Sequence, residues 1–200
     1  MKAKKKSRGK NKGNAFEREI CRQLSLWWTQ HLPTPRDDVF WRTASSGGRA
    51  TQRAKSGKQT KGHYGDVCAS DPIGQPLLDM VTIELKRGYN HCTLHDLLDK
   101  PEGAVQQTYE KWIKQAQEES RLAGTKGWLI IHKRDRREPV VLMPSFLNGR
   151  GFSRGPSREN GRPVPLMVSI YHNKYDLWLH AILLAPFLDS HIPNSFAVCP

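Results

Sequence analysis

Apolar residues recur along this chain with two periods, and the switches between them lay out its elements. Phe16, Ile20, Cys21, Leu24, Trp27 and Trp28 fall at helical spacing. They predict a helix over residues 14–29, capped by Asn14 and barred from continuing by Pro33 and Pro35. Residues 33–62 read as irregular, with a short strand-like piece at 39–42. Residues 64–69 read as a strand, Ser70-Asp71-Pro72-Ile73-Gly74 as a turn, and residues 80–86 as a second strand. A long amphipathic helix is predicted over 101–123, with Val105, Tyr109, Trp112, Ile113, Ala116 and Ala123 on its apolar face and Gly124 and Gly127 framing its end. Two short strands follow at 128–132 and 139–143. The Gly, Arg and Pro-rich stretch 148–165 reads as a mobile loop, 164–171 as a strand and 176–189 as a final helix. No internal repeat is present, and the order of elements predicts a mixed α/β domain.

Length agrees with one domain. Residues 1–12 are expected to be a basic flexible tail and 13–145 a core. Residues 146–200, a loop with a C-terminal strand and helix, should join that same domain. Hydrophobic residues make up 37% of the chain, enough for a core, yet no run approaches the roughly 18 apolar residues of a membrane span. The basic N-terminus has no apolar segment behind it, which does not fit a secretory signal. Cys21, Cys68, Cys92 and Cys199 are scattered without a C-x-x-C pair, so a reducing compartment, the cytoplasm, is expected.

Charge changes the picture more than composition does. The net charge is +13, and it is concentrated. Residues 1–12 hold seven cations and no acid. The second acid-free stretch, 42–65, contributes Arg42, Arg49, Arg53, Lys55, Lys58 and Lys61. One such run is easily a solubilising tail; two separate runs point to a polyanion, and nucleic acid is the expected partner.

Candidate chemistry begins on the predicted strand 80–86. Its alternation sends Val81, Ile83 and Leu85 one way and Thr82, Glu84 and Lys86 the other, so Glu84 and Lys86 stand about 7 Å apart on one face. Such a pair can hold a divalent ion and orient a water, or it can be a casual ion pair on an exposed face. Asp66, on the preceding strand, can be brought beside Glu84 by the intervening turn; its plain alternative is a turn-capping role after Gly65. Two hard oxygen ligands suit magnesium, which commonly binds through one or two carboxylates plus phosphate oxygens. Glu17 falls inside the apolar stripe of the first helix while Glu19 faces the other way. A carboxylate there is costly unless paired or coordinated, a role near the helix start being the bland account.

These segments resemble the PD-(D/E)XK nucleases, especially their Holliday-junction-resolvase branch. The matching pieces are Gly13-Asn14-Ala15-Phe16-Glu17-Arg18-Glu19, Arg42-Thr43-Ala44-Ser45-Ser46-Gly47-Gly48, Gly65-Asp66-Val67 and Ile83-Glu84-Leu85-Lys86, followed by the long helix and Trp128-Leu129-Ile130-Ile131-His132. The resemblance covers roughly residues 13–133. It implies a restriction-endonuclease-like core, a mixed β-sheet flanked by helices. It also implies an endonuclease that hydrolyses DNA, duplex or branched, with Mg2+ (or Mn2+) on Asp66 and Glu84. Lys86 would aid the attacking water, Glu17 would be a further ligand, direct or through water, and Arg42 and Ser46 would contact the scissile region. Resolvases of this type work as dimers, and small nucleases of this look are common in phage genomes. The long basic loop 48–62 and the tail after 144 depart from the family pattern.

Other signals count for less. His91, Cys92 and His95 lack the paired spacing of structural zinc. Trp27, Trp28, Trp112 and Trp128 sit in registers that favour core over base stacking. Gly47-Gly48 lacks the ending of a nucleotide-phosphate loop, and Ser45 and Ser46 have no evident His–Asp partners. In the final helix, Trp178, Leu179, Ile182, Leu183 and Phe187 suit core or dimer interface equally. The main competing reading is a non-catalytic basic nucleic-acid-binding protein, with an RNA-binding or ribosome-associated role behind it. Against both, three acids have no purpose on a surface made for phosphates unless a cation offsets them.

Overall fold

Helix α1 (Arg8–Trp28) opens the fold and carries the predicted stripe into the core. The protein's structure, a computed structural model, describes residues 8–43, 64–99, 107–147 and 167–191. Most of the expected basic tail, the basic stretch 44–63 and the loop expected at 148–165 lie outside those residues. α1 starts six residues before Asn14, inside the stretch read as tail, because Arg and Lys are good helix formers that need no apolar partner. Asn14 is therefore no cap; its Oδ1 accepts from Arg42 Nη2 at 3.1 Å. At the other end the buried Ser25 hydroxyl donates to Cys21 O and accepts from Phe40 N–H at 2.8 Å, which seats strand β1 (Phe40–Arg42) on the helix.

β1 pairs antiparallel with β2 (Val67–Ala69). A 3-10 turn (Pro72–Gly74) follows, its start fixed by Asp71 accepting from Ile73 N–H and Arg36. Then comes α2 (Gln75–Met80), which the pattern did not predict; six residues are too few for a period to register, although Leu77 and Met80 bury one side of it. Strand β3 (Val81–Arg87), helix α3 (Thr108–Ala123) and strand β4 (Gly127–Lys133) form a β-α-β unit with β3 and β4 parallel. Gly124 ends α3 in the left-handed conformation at φ 71°. The first residues of the predicted helix, 101–106, lie outside the described set.

Strands β5 (Val140–Pro144), β6 (Met167–His172) and β7 (Leu177–Leu183) complete a five-stranded mixed sheet in the order β3-β4-β5-β7-β6, and helix α4 (Leu184–Ser190) follows. The single helix expected over 176–189 is thus a strand followed by a helix. β7 lies between β5 and β6, and its sequence is apolar at every position but His180, so no alternation distinguishes it from a helix. Pro186 falls in the first turn of α4, where a missing N–H costs nothing. Of the residues weighed there, Leu179, Ile182 and Phe187 are core, whereas Trp178 is 53% exposed.

The sheet separates two cores. α1 and α4 pack on the face carrying Val81, Ile83, Leu85, Leu129, Ile131 and Val141. α3 packs on the other, against Trp128, Ile130, Leu142 and Leu179. Trp27, Trp28, Trp112 and Trp128 are all buried, as their registers predicted. This is the expected α/β architecture, a mixed sheet flanked by helices. No helix among the described residues is long and apolar enough to cross a membrane.

Candidate active site

Because α3 covers one face of β3, the polar residues of that face are buried rather than wet. Thr82 is 3% exposed and Glu84 1%. A casual surface pair would stand in water; this one does not. Lys86 Nζ lies 2.6 Å from Glu84 Oε2, deep enough that desolvation matters for both.

Two residues from α3 close the site from above. Gln115 Nε2 donates to Glu84 Oε2 at 3.1 Å and to Glu119 Oε1 at 2.9 Å, while its Oε1 accepts from Lys86 Nζ at 3.3 Å. Glu119 Oε2 in turn accepts from Gly65 N–H at 2.9 Å. Gln115 and Glu119 are one turn apart on the helix, so a single turn of α3 touches both β3 and the bend 64–66 that carries Asp66. The sequence predicts the start of a strand at that bend, but β2 begins only at Val67.

Asp66 reaches the site because Gly65 lets the chain run tight against the outer edge of β3. Gly65 has φ +75°, and a Cβ there would stand 2.7 Å from Ile83 O. Next along, Asp66 N–H donates to Ile83 O at 2.8 Å, and Asp66 Oδ2 accepts from Leu85 N–H at 2.9 Å. These two bonds bracket Glu84 and hold the Asp66 carboxylate beside it. They also occupy the free edge of the sheet, which would otherwise offer unpaired backbone groups.

Glu17 comes from α1, as its place in the stripe required. Its Oε2 accepts from Arg42 Nε at 2.7 Å, so Arg42, expected at the substrate, is paired with Glu17 here. Ser46, Arg49, Arg53, Lys55, Lys58 and Lys61 lie outside the described residues. Among the described residues, no group of three His, Cys, Asp or Glu side chains is arranged to hold a metal ion. Cys21, Cys68 and Cys92 are free thiols.

The electrostatics show what this crowding costs. Burial, and then the charge of Asp66, push the Glu84 carboxyl up to about 9, with Lys86 opposing. Burial also raises Asp66, against the Leu85 N–H and Lys86, and the charges of Glu17 and Glu119 raise it further. Lys86 is pulled down by burial, but the carboxylates of Glu84, Asp66 and Glu119 outweigh that and hold its ammonium charged. Among the described residues, one lysine does not balance Glu84, Asp66 and Glu119. The arrangement favours either an extra proton or a cation among them.

Gln115 and Glu119 were not among the residues expected. Glu119 lies three residues after Ala116 and seven after Trp112, at the margin of the apolar stripe of α3. The test that singled out Glu17 on α1, a carboxylate within a buried stripe, would have found it too. Gln115 carries no charge and lies outside the stripe, so no signal marked it.

No curated protein and no solved structure matches the chain. A family model described as "Phage putative PDDEXK endonuclease" matches residues 8–151. That span holds α1, both small strands, the β3-α3-β4 unit and β5, hence every candidate site residue described above. The chain belongs to this family of phage PD-(D/E)XK endonucleases.

Proposed function

We propose that the protein is a Mg2+-dependent endodeoxyribonuclease, able to use Mn2+, with Asp66, Glu84, Lys86 and Glu17 at its catalytic centre. The observation that carries this reading is the contact of Asp66 with the backbone of β3. It sets the half-buried Asp66 carboxylate beside the buried Glu84 and the Lys86 ammonium, with no second lysine at the cluster among the described residues. Hard carboxylate oxygens fit magnesium, and two suffice, since water and phosphate oxygens complete its octahedron. Asp66 and Glu84 would hold the ion; Glu17, bound to Arg42, would act through water. Bound there, the ion supplies Lewis-acid polarisation of the phosphodiester and lowers the pKa of a water.

The chain's own residues do the rest. Lys86 stays charged, so it is no base; it donates hydrogen bonds that orient the attacking water and stabilise charge on the phosphoryl oxygens. Gln115 bonds both members of the Lys86–Glu84 pair and so fixes their orientation. Arg42 and Ser46 are proposed to contact the scissile region, and the basic stretch Arg49, Arg53, Lys55, Lys58 and Lys61 to hold the backbone. Branched DNA of the four-way-junction kind is the proposed preferred substrate. The motif order resembling the resolvase branch supports it, and symmetric cutting requires a homodimer. Phage membership of the family supports action in the cytoplasm of an infected bacterium.

The test is a Mg2+ titration against four-way junctions, nicked duplex, duplex ends and supercoiled plasmid. Cutting should require the ion and be lost in Asp66→Asn and Glu84→Gln, while both variants still bind DNA. Full activity in either variant refutes the site. Cutting of linear ends with junctions untouched removes the junction proposal and leaves the nuclease.

A further inference from the structure

The turn between β4 and β5 carries Lys133-Arg134-Asp135-Arg136-Arg137, a cationic cluster that the proposed catalysis does not use. Its geometry is unusual in two ways. First, Asp135, 39% exposed, is tied to the body of the fold, while a second acid, Glu138, stands exposed after the arginines. Asp135 accepts from Arg87 at 2.7 Å and from Asn90 Nδ2 at 3.0 Å, lies 3.9 Å from Lys12, and donates its own N–H to Asn90 Oδ1 at 2.7 Å. Arg136 and Arg137 are left exposed, with Arg134 partly so, and none of the three has an ion pair among the described residues. Second, Arg136 has φ 58°. It is the third residue of a turn closed by Arg137 N–H to Arg134 O at 3.3 Å, a position that favours Gly or Asn because it needs φ above zero. An arginine there costs conformational energy that glycine would avoid. Strain kept in place by a rigid surround points to a use for the side chain.

The place of the turn says what that use is. Lys86 pairs with His132 across the sheet and Arg87 with Lys133, so the turn begins one residue beyond the row that carries Lys86. At about 3.3 Å per residue, Arg134 stands roughly 7 Å further along than that row. Arg134 is also close enough for its charge to hold the His132 imidazole down, after burial, the larger cause. Phosphates on one DNA strand recur about every 3.4 Å of helix axis. If the duplex axis runs along β3 and β4, a strand with its scissile phosphate at Lys86 passes Arg134 about two nucleotides later.

We propose that the β4–β5 turn is a second, rigid DNA-binding surface, in which Arg134, Arg136 and Arg137 grip backbone phosphates flanking the cut site. The choice of DNA rests on the nuclease reading above; the surface itself does not. Arginine suits the task because its planar fork takes phosphate oxygens in pairs, and such contacts position the duplex without reading sequence.

The experiment measures binding of the full chain to a duplex of mixed sequence, in EDTA, across a salt series. R134A/R136A/R137A should flatten the log K against log salt slope by about 2 to 3, at roughly 0.9 for each phosphate no longer neutralised. Affinity at low salt should fall about tenfold or more, and Tm should hold. Arg136→Gly should flatten the slope by about 1 while raising Tm, since the strain is relieved. An unchanged slope in the triple variant overturns the proposal, as does Arg136→Gly lowering Tm with no loss of binding. Tighter binding to duplex RNA than to DNA overturns the choice of partner. Binding in EDTA needs no catalysis, so a chain that cuts nothing but shows the slope change keeps this surface and loses the nuclease reading. A chain that cuts normally with an unchanged slope does the reverse.

Discussion

Two glutamates, Glu84 and Glu110, are buried almost equally on the α3 side of the sheet, and their neighbourhoods are opposites. Glu110 lies in the first turn of α3, where its Oε2 accepts from Gln107 N–H at 2.8 Å and its Oε1 stands 3.4 Å from His172 Nε2. Each of its oxygens meets a donor. Glu84, near the other end of the helix, shares its surroundings with Asp66 and Glu119. Both cost desolvation, and Glu84 has donors too, but Lys86 and Gln115 meet the same oxygen, Oε2, and other acids crowd the group. An acid buried to hold a fold is surrounded by donors, whereas one buried among other acids suits a cation that arrives later. Glu110→Gln should therefore cost about 1–3 kcal/mol of stability and leave cutting intact. Glu84→Gln should do the reverse, cutting roughly a thousandfold slower while the metal-free protein is as stable or more so. Chemical denaturation in EDTA beside a plasmid assay reads both. Equal destabilisation in the two variants would erase the distinction.

Glu119 sharpens the contrast because it belongs to the crowded cluster yet has donors of its own. Bonded to Gly65 N–H and Gln115, it positions the bend of Asp66 and the partner of Glu84 without being required at the ion. Glu119→Ala should reduce cutting about 10–100-fold, the usual scale for a residue behind a metal ligand. Magnesium dependence should shift to higher concentration, and Glu119→Gln should recover part of the loss. A variant with unchanged magnesium response would mean that Glu119 only fills space.

Gly65 tests the same cluster through the backbone. Gly65→Ala places a Cβ in left-handed backbone against Ile83 O, and no flexible side chain can yield there. The expected cost is about 1–3 kcal/mol, read by denaturation, with cutting lost as Asp66 leaves β3. Wild-type stability and activity in this variant would show that the tight approach at Gly65 is not needed.

The sequence made part of this cluster legible and concealed the rest for identifiable reasons. Glu84 and Lys86 declared themselves through strand alternation, and Glu17 through its place in the stripe of α1. What alternation does not reveal is whether a strand's polar face is covered. Only the packing of α3 decides that, and it separates a surface pair from a buried one. Gln115 has no charge to look out of place, and its role exists only once α3 lies over β3. β7 resembles a helix in sequence because a run apolar at nearly every position carries no period, and Asn14 resembles a cap until Arg42 is found bonded to it.

A last test of the crowded cluster lies in the pH dependence of the metal-free protein. Glu84 has an ordinary value of 4.5 and is pushed up to about 9 in the fold, first by burial and then by Asp66. Between those values the folded chain holds a proton that the unfolded chain has released. Stability from this group is therefore full below about pH 4.5 and is lost as pH rises toward 9, at no more than about 1.4 kcal/mol per unit for one proton. Asp66 shares that field, so the proton belongs to the cluster rather than to one carboxyl. In EDTA, the stability of the wild type relative to Glu84→Gln should thus fall from pH 5 to pH 9. Magnesium should flatten the fall, because a cation replaces the proton as the counter-charge. The opposite trend, with the wild type gaining on the variant as pH rises, would mean that Glu84 is ionised and satisfied in the fold.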